Sequence, residues 1–183
     1  MLMERLFSSG VMRMGPSRME PTRMVGVFNP DCIAGMAPQR AAELQKFAWI
    51  QGAWEHENLV PATAVSPAYA DIGASRFVLG EGGTWVCALA ADGREIPQIT
   101  FDPFSRQWIY LLTRGSYGML RSPDGWVGNS ISFTGTMTMI GLNLEWRMRW
   151  TKDNDDAFCF VNEEQNLNGS WDHIDEWTFR RKS

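Results

Sequence analysis

Hydrophobic and polar positions alternate along most of the chain after residue 53. In the segment 142–150 the even positions are Leu, Leu, Trp, Met and Trp, whereas the odd positions are polar or charged. Strict alternation over this length is typical of a β-strand with one buried face, and a helix does not produce it. Turn residues such as Asp92-Gly93 and Pro123-Asp124-Gly125 separate further segments of this kind. The pattern predicts ten strands, over residues 54–60, 74–79, 84–90, 96–101, 107–113, 117–121, 127–134, 142–150, 157–164 and 171–180.

One segment before these strands has a helical period. Hydrophobic residues recur at spacings of three to four from Ala41 to Phe47, and Pro38 suits the first position of a helix. Gly52 is a natural stop, because glycine adopts the left-handed conformation that follows many helices. About ten antiparallel strands joined by tight turns indicate an all-β fold, an up-and-down antiparallel β-barrel with a short N-terminal helix. We assign residues 38–183 to this barrel, which has room for one small ligand.

Residues 1–37 have neither the alternation of a strand nor the period of a helix. Seven of the eleven methionines lie within the first 36 residues, among scattered Arg, Pro and Gly. Two interpretations are open: a flexible extension that the fold does not need, or a lid that lies over the barrel mouth or a partner subunit.

Composition narrows the class of partner. The formal net charge of −4 argues against nucleic acid, since phosphate binding needs a basic surface. No run of 18 apolar residues is present, so we expect no spanning helix and no membrane partner. The three cysteines are far apart and odd in number, which favours free thiols and a cytoplasmic location. All nine tryptophans follow residue 48, where they suit either a core or the surroundings of an aromatic ligand.

The junction between helix and first strand, Gly52-Ala53-Trp54, resembles that of the calycin group, which includes lipocalins, fatty-acid-binding proteins and haem-binding nitrobindins. The closest resemblance is to an uncharacterised bacterial calycin-like family, in which a leucine-containing helix leads to Gly-x-Trp-Glu. The segments Ala42–Glu55 and Ile99–Tyr110 look like the junction and the mid-barrel hairpin of that family. The likeness covers residues 40–181.

The resemblance implies roles for particular residues. In calycins the junction Trp closes the base of the barrel and a late Arg packs over it, which implies this role for Arg180 or Arg181 here. The chain departs from the nitrobindins after the Trp, where it has Glu55-His56-Glu57 in place of a second glycine pair.

An inward Trp54 predicts that His56 also points into the barrel, because side chains of a strand alternate. If the first and last strands pair with Trp54 near Phe179, His56 lies opposite Trp177 and diagonal to Asp175. We therefore hypothesise a His56–Asp175 acid–base pair in the cavity. The candidate catalytic residues are His56, His173, Asp175 and Tyr110. In the alternative interpretation each His is a hydrogen-bonded polar side chain at the barrel rim.

Aromatic and apolar residues of the strands, with one asparagine, are the candidate ligand-binding residues. They are Trp54, Asn58, Trp85, Trp108, Trp146, Met148, Trp150, Phe158, Trp171 and Trp177. Glu145, Arg147 and Arg149 lie on the opposite face of their strand and have two interpretations. They form a solvated outer face, or they line the cavity and bind an anionic group while the apolar face packs against a second subunit in a homodimer.

Three functions remain open from the sequence. The first is binding of a small hydrophobic or aromatic molecule in a Trp-rich barrel, and the second is a cofactor-free lyase, isomerase or cyclase that uses His–Asp chemistry there. The third is a haem protein with His173 as axial ligand. No residues have zinc-site spacing and no G-x-S-x-G is present, so we predict no metal, no cofactor and no serine nucleophile. Whether the protein is an enzyme stays open.

Overall fold

The computed structural model describes residues 30–63, 67–80, 82–113 and 115–182. The described residues from Gln39 onward form one compact unit. The methionine-rich segment before residue 30, with its two open interpretations, lies outside the described residues. No helix in the described part of the chain is long and apolar enough to cross a bilayer.

An α-helix and a 3₁₀ helix precede the strands. Helix α1 spans Pro30–Leu44 and the 3₁₀ helix spans Gln45–Ile50. The expectation that Pro38 begins the helix is wrong, since Pro38 lies inside α1. The proline ring holds φ near a helical value, so the helix continues past Pro38 although the N–H that would bond back one turn is missing.

The described residues form eleven strands in one antiparallel sheet. They are β1 Gly52–Val60, β2 Tyr69–Gly80, β3 Trp85–Leu89, β4 Glu95–Asp102, β5 Gln107–Leu112, β6 Ser116–Ser122, β7 Trp126–Val127, β8 Ser130–Met139, β9 Leu142–Asn154, β10 Ala157–Gln165 and β11 Trp171–Arg181. Sequential strands pair with each other except β6 and β7, β1 pairs with β11, and a β6–β8 pairing closes the sheet. The two-residue β7 pairs only with β8. The prediction of a ten-stranded up-and-down barrel with a short N-terminal helix is confirmed.

The 3₁₀ helix fills the base of the barrel. Phe47 and Ile50 are fully buried, and the Phe47 ring lies 5.1 Å from that of Trp108 and 5.0 Å from that of Trp126. Trp54 is also fully buried, and its indole N–H donates to the Ile50 carbonyl at 2.7 Å. Burial of these side chains closes one end of the barrel, so the remaining interior space lies towards the other end.

Arg181 joins the last strand to the helix–strand junction. Its guanidinium lies 4.3 Å from the centre of the Trp54 ring and donates to the carbonyls of Trp49 at 2.6 Å and Gln51 at 2.9 Å. Gly52 has a φ of 120°, and a Cβ there would lie 3.0 Å from Arg181 Nη1. The late arginine that the calycin resemblance implied is therefore Arg181, whereas Arg180 is exposed.

The pairing of β1 with β11 differs from the predicted register by two residues. Trp54 pairs with Arg181, and His56 pairs with Phe179, which was predicted to lie beside Trp54. The strand continues to Arg181, whose bonds to the junction set this register. A shift of two residues preserves the inward and outward alternation. His56 therefore still points inward.

Candidate ligand-binding cavity

A cavity of about 530 Å³ occupies the barrel interior beyond the aromatic base. Strands from both halves of the sheet contribute to it, and its lining combines aromatic rings with a small number of polar side chains. The residues that carry its chemistry are His56, Ser75, Tyr110, Asn162, Asp175 and Trp177.

The wall formed by β9, β10 and β11 is a series of stacked aromatic rings. The Trp150 and Phe160 rings are 5.0 Å apart, and Phe160 and Trp177 are 5.6 Å apart. Trp177 is in turn 6.2 Å from Phe179, and the planes of all three pairs are within 21° of parallel. These residues are cross-strand neighbours or occupy alternate positions of one strand, so their rings face the same side. The wall presents a continuous apolar surface to the cavity.

Asp175 lies in a short hydrogen-bonded network at this wall. The Asn162 side-chain amide donates to Asp175 Oδ1 at 2.7 Å, and the indole of Trp146 donates to Asn162 Oδ1 at 3.2 Å. The Trp177 side chain also bonds to Asp175. Burial raises the pKa of Asp175, although the bonds from Asn162 and Trp177 and the charge of His173 oppose the rise. The network fixes a half-buried carboxyl group whose pKa lies above its ordinary value.

His56 lies on the neighbouring part of the lining. Its Nδ1 is 2.9 Å from the Ser75 hydroxyl, and its ring centre is 5.2 Å from that of Trp177. Gly73 pairs with His56, and a Cβ at Gly73 would lie 2.7 Å from His56 Nε2. The imidazole thus lies over a glycine, held by one hydrogen bond and by contacts with the Trp177 and Phe179 rings. Within the described residues, no hydrogen bond or ion pair joins His56 to Asp175, and the acid–base pair stays a prediction.

A β-bulge changes the direction of side chains in β11. Asn162 pairs with Asp175, but the next residue of β10, Glu163, pairs with His173, which leaves Ile174 as the extra residue. Beyond the bulge the faces exchange, because an extra residue reverses the alternation. His173 is exposed on the outside of the barrel beside Glu163. The expectation that His173 shares the cavity with Asp175 is wrong.

The bulge also moves Trp171 out of the cavity. The Arg147 guanidinium lies 4.4 Å from the centre of the Trp171 ring, on the outer face. The prediction that Trp171 lines the interior is wrong for the same reason as that for His173.

The other predicted site residues fall into three groups. His56, Tyr110, Met148, Trp150, Asp175 and Trp177 line the cavity. A second group is buried outside the lining, either at the aromatic base or in the walls: Trp54, Asn58, Trp108, Trp146 and Phe158. Trp85 is half-buried next to the inward Val86 and is not in the lining. Burial raises the pKa of Tyr110, so its phenol is a donor and not a base at neutral pH.

Ser75 and Asn162 are polar residues of the site that were absent from the sequence-based candidates. Asn162 alternates with Phe158 and Phe160 along a predicted strand, so the period of two indicates its inward direction. Ser75 alternates with Phe77 in the same way. Neither residue has a local motif that distinguishes it from other polar strand residues.

The charged face of β9 is the outer face. Arg147 Nε is 2.6 Å from a Glu163 carboxylate oxygen, Arg149 is 3.6 Å from the same oxygen, and Glu145 accepts a 2.7 Å hydrogen bond from Thr136. The Arg147 hydrogen bond lowers the pKa of Glu163. On the same strand, the even-numbered Trp146, Met148 and Trp150 are buried. The alternative in which these arginines line the cavity and bind an anionic group is wrong.

The two histidines do not fit a haem in the cavity, where an imidazole nitrogen would have to point at the iron. His173 lies outside the barrel, His56 Nδ1 is bonded to Ser75, and His56 Nε2 lies against Gly73. The described residues also contain no group of three or more His, Cys, Asp or Glu side chains placed to hold a metal ion.

No protein-family model matches the chain, and no curated protein matches it. Among solved structures, the chain is similar to Rv2717c from M. tuberculosis, with 10% identity and a TM-score of 0.51 over 77% of this chain and 98% of that one. A protein with unknown function from the DUF3598 family of Nostoc punctiforme has 14% identity and a TM-score of 0.38, over 74% of this chain and 48% of that one. The redesigned barrel mFAP1, bound to DFHBI, has 16% identity and a TM-score of 0.34, over 78% of this chain and 99% of that one.

The last two likenesses are too distant to bear on fold or function. The closed ten-stranded barrel and the likeness to Rv2717c fit a calycin-like barrel fold.

Proposed function

We propose that the protein binds one small molecule, with an aromatic ring and at least one hydrogen-bonding group, inside the barrel. The observation that carries this proposal is the cavity of about 530 Å³, in which a stacked aromatic wall meets a few polar side chains. Small-molecule sites typically have this size and combine an apolar lining with a few placed polar groups. We also propose that the protein is a calycin, a proposal supported by the Gly52-Ala53-Trp54 junction and the packing of Arg181 over Trp54.

The geometry supports a particular orientation of the ligand. A planar ring gains most contact area when it lies against the parallel faces of Phe160 and Trp177. In that orientation the polar part of the ligand is near the Asn162–Asp175 network, which is bonded to the same Trp177. The polar groups set the direction of the ligand, while the wall supplies most of the apolar contact.

A matched pair of tryptophan substitutions tests the proposal. Ala88 lines the cavity, so an indole in Ala88→Trp occupies ligand volume. Thr134 is exposed beside the buried Phe133, so Thr134→Trp adds the same group to the outer face. By titration calorimetry with naphthylethanol, we expect one molecule bound per chain in the wild type and in Thr134→Trp, and affinity at least about tenfold weaker in Ala88→Trp. Equal binding by both folded variants would place the ligand elsewhere and refute the proposal.

A second candidate function is favoured by one observation. Two titratable side chains that suit proton transfer, His56 and Asp175, both line the cavity. An enzyme of the cofactor-free lyase or isomerase class needs such groups to converge on a substrate held among aromatic rings. In this candidate the substrate would displace Ser75 from His56 Nδ1, and this nitrogen would take a proton from carbon. The negative charge of Asp175 in the same lining would favour the imidazolium that forms.

A generic proton-abstraction substrate tests this second candidate. In nitrobenzisoxazole a base removes the ring C–H proton, the N–O bond breaks, and a cyanophenolate forms that is followed by its absorbance. We expect catalysis above that by free imidazole, lowered about a hundredfold in His56→Ala because general-base catalysis has this magnitude. A rate in the wild type equal to that in His56→Ala would exclude His56 as a base.

A further inference from the structure

The described cavity lining contains an acidic side chain but no inward arginine or lysine. Asp175 is an acidic group in the lining, whereas Arg147 and Arg149 bond to Glu163 on the outer face. Arg76 borders the cavity but is exposed, and it lies between two inward residues of β2, so its side chain points outward. In the described part of the lining, therefore, no guanidinium or lysine ammonium group points inward to neutralise an anionic ligand.

The surroundings of Asp175 suit a cation. Its Oδ1 accepts from the Asn162 amide, and the Trp177 side chain is its other bonded partner. A carboxylate accepts more than two hydrogen bonds, so acceptor capacity remains towards the cavity. The same Trp177 stacks with Phe160, and aromatic faces attract cations electrostatically. A carboxylate beside aromatic faces is complementary to a protonated amine.

We propose that the ligand is an aromatic amine whose ammonium group pairs with Asp175 while its ring lies on Trp177 and Phe160. This inference rests on the proposed function, since it names the chemistry of a ligand for the same cavity. An ammonium group gains a charge-assisted hydrogen bond to the carboxylate. An aromatic carboxylate meets a like charge in a half-buried site, which is unfavourable. A neutral alcohol gains or loses little.

Three ligands with the same ring separate the inference from the proposed function. They are naphthylethylamine, naphthylethanol and naphthylacetate, titrated calorimetrically at neutral pH. We expect affinity to fall in that order, with the amine bound at least about tenfold more tightly than the carboxylate. If the three bind equally, or the carboxylate binds best, the inference about charge is wrong while the proposed function stands. If none binds, both fail.

Two neighbouring carboxyl groups provide matched variants. Asp175→Asn removes the inner carboxylate, and Glu176→Gln removes the adjacent one, which alternates to the outer face. We expect Asp175→Asn to abolish the preference for the amine over the carboxylate, whereas Glu176→Gln keeps that preference. Retention of the preference in Asp175→Asn overturns the inference. If that variant loses naphthylethanol binding or its folded structure, the inference is tested by the order of the three ligands' affinities for the wild type.

Discussion

At the scale of single residues, the position of His56 in the cavity depends on Gly73, which has no side chain. Gly73 pairs with His56 across β1 and β2, and the imidazole occupies the space that a Cβ at Gly73 would need. The positive-φ glycines of the described chain do not include Gly73, so its role here is one of space and not of backbone conformation. This glycine leaves room for the imidazole to lie against β2 and to bond Ser75.

Gly73→Ala should displace the His56 ring. The new Cβ would lie 2.7 Å from Nε2 and 3.0 Å from Cε1, so the ring must move away and loses its bond to Ser75. We expect a loss of about 1 kcal/mol in the free energy of unfolding, the usual value of one hydrogen bond, and a changed His56 ring spectrum by ¹H–¹⁵N NMR.

The matched control is Gly35→Ala in α1, where a new Cβ meets nothing within 4 Å. We expect this variant to be neutral or slightly more stable, because alanine has the higher helix propensity. An unchanged His56 spectrum in Gly73→Ala would show that the imidazole does not occupy this position.

Residue-level predictions from the sequence succeeded where a pattern specified a role. The junction motif implied a tryptophan at the base of the barrel with a late arginine over it. In the structure Trp54 is buried at the base and Arg181 packs over its ring. Ser75 and Asn162 were missed because a polar strand residue has the same local pattern whether or not its partners converge on it. The contacts that distinguish Asn162, which lies on β10, come from two other strands, namely from Trp146 of β9 and from Asp175 of β11.

At the scale of elements, strand direction and pairing were predictable but irregularities were not. In β9 the alternation from Leu142 to Trp150 continues without interruption, so its buried face follows from the sequence. In β11 the residues from Trp171 to Phe179 alternate equally well in sequence, yet the bulge at Ile174 reverses the first part. Glycine marks many bulges, but no glycine lies at Ile174 or beside it. The pattern alone therefore placed His173 and Trp171 on the wrong face.

At the scale of the whole molecule, the number of strands followed from the turns. Glycine, proline, asparagine and aspartate separate the predicted segments, and closure of the sheet removes the exposed edges that would promote aggregation. The cavity could not be derived in this way. Its volume depends on how far Phe47, Ile50 and Trp54 fill the base, which is a property of tertiary packing and not of any one segment.

The central claim is that a small aromatic molecule binds inside the barrel, and two methionines allow a direct test. Met148 lines the cavity, whereas Met119 is 42% exposed on β6. With ¹³C-methyl-methionine and bound naphthylethanol, the measurement is the set of nuclear Overhauser effects between ligand protons and methionine methyl groups. We predict an effect to the Met148 methyl and none to the Met119 methyl. Effects to Met119 without one to Met148 would place the ligand on the outer surface and contradict the claim.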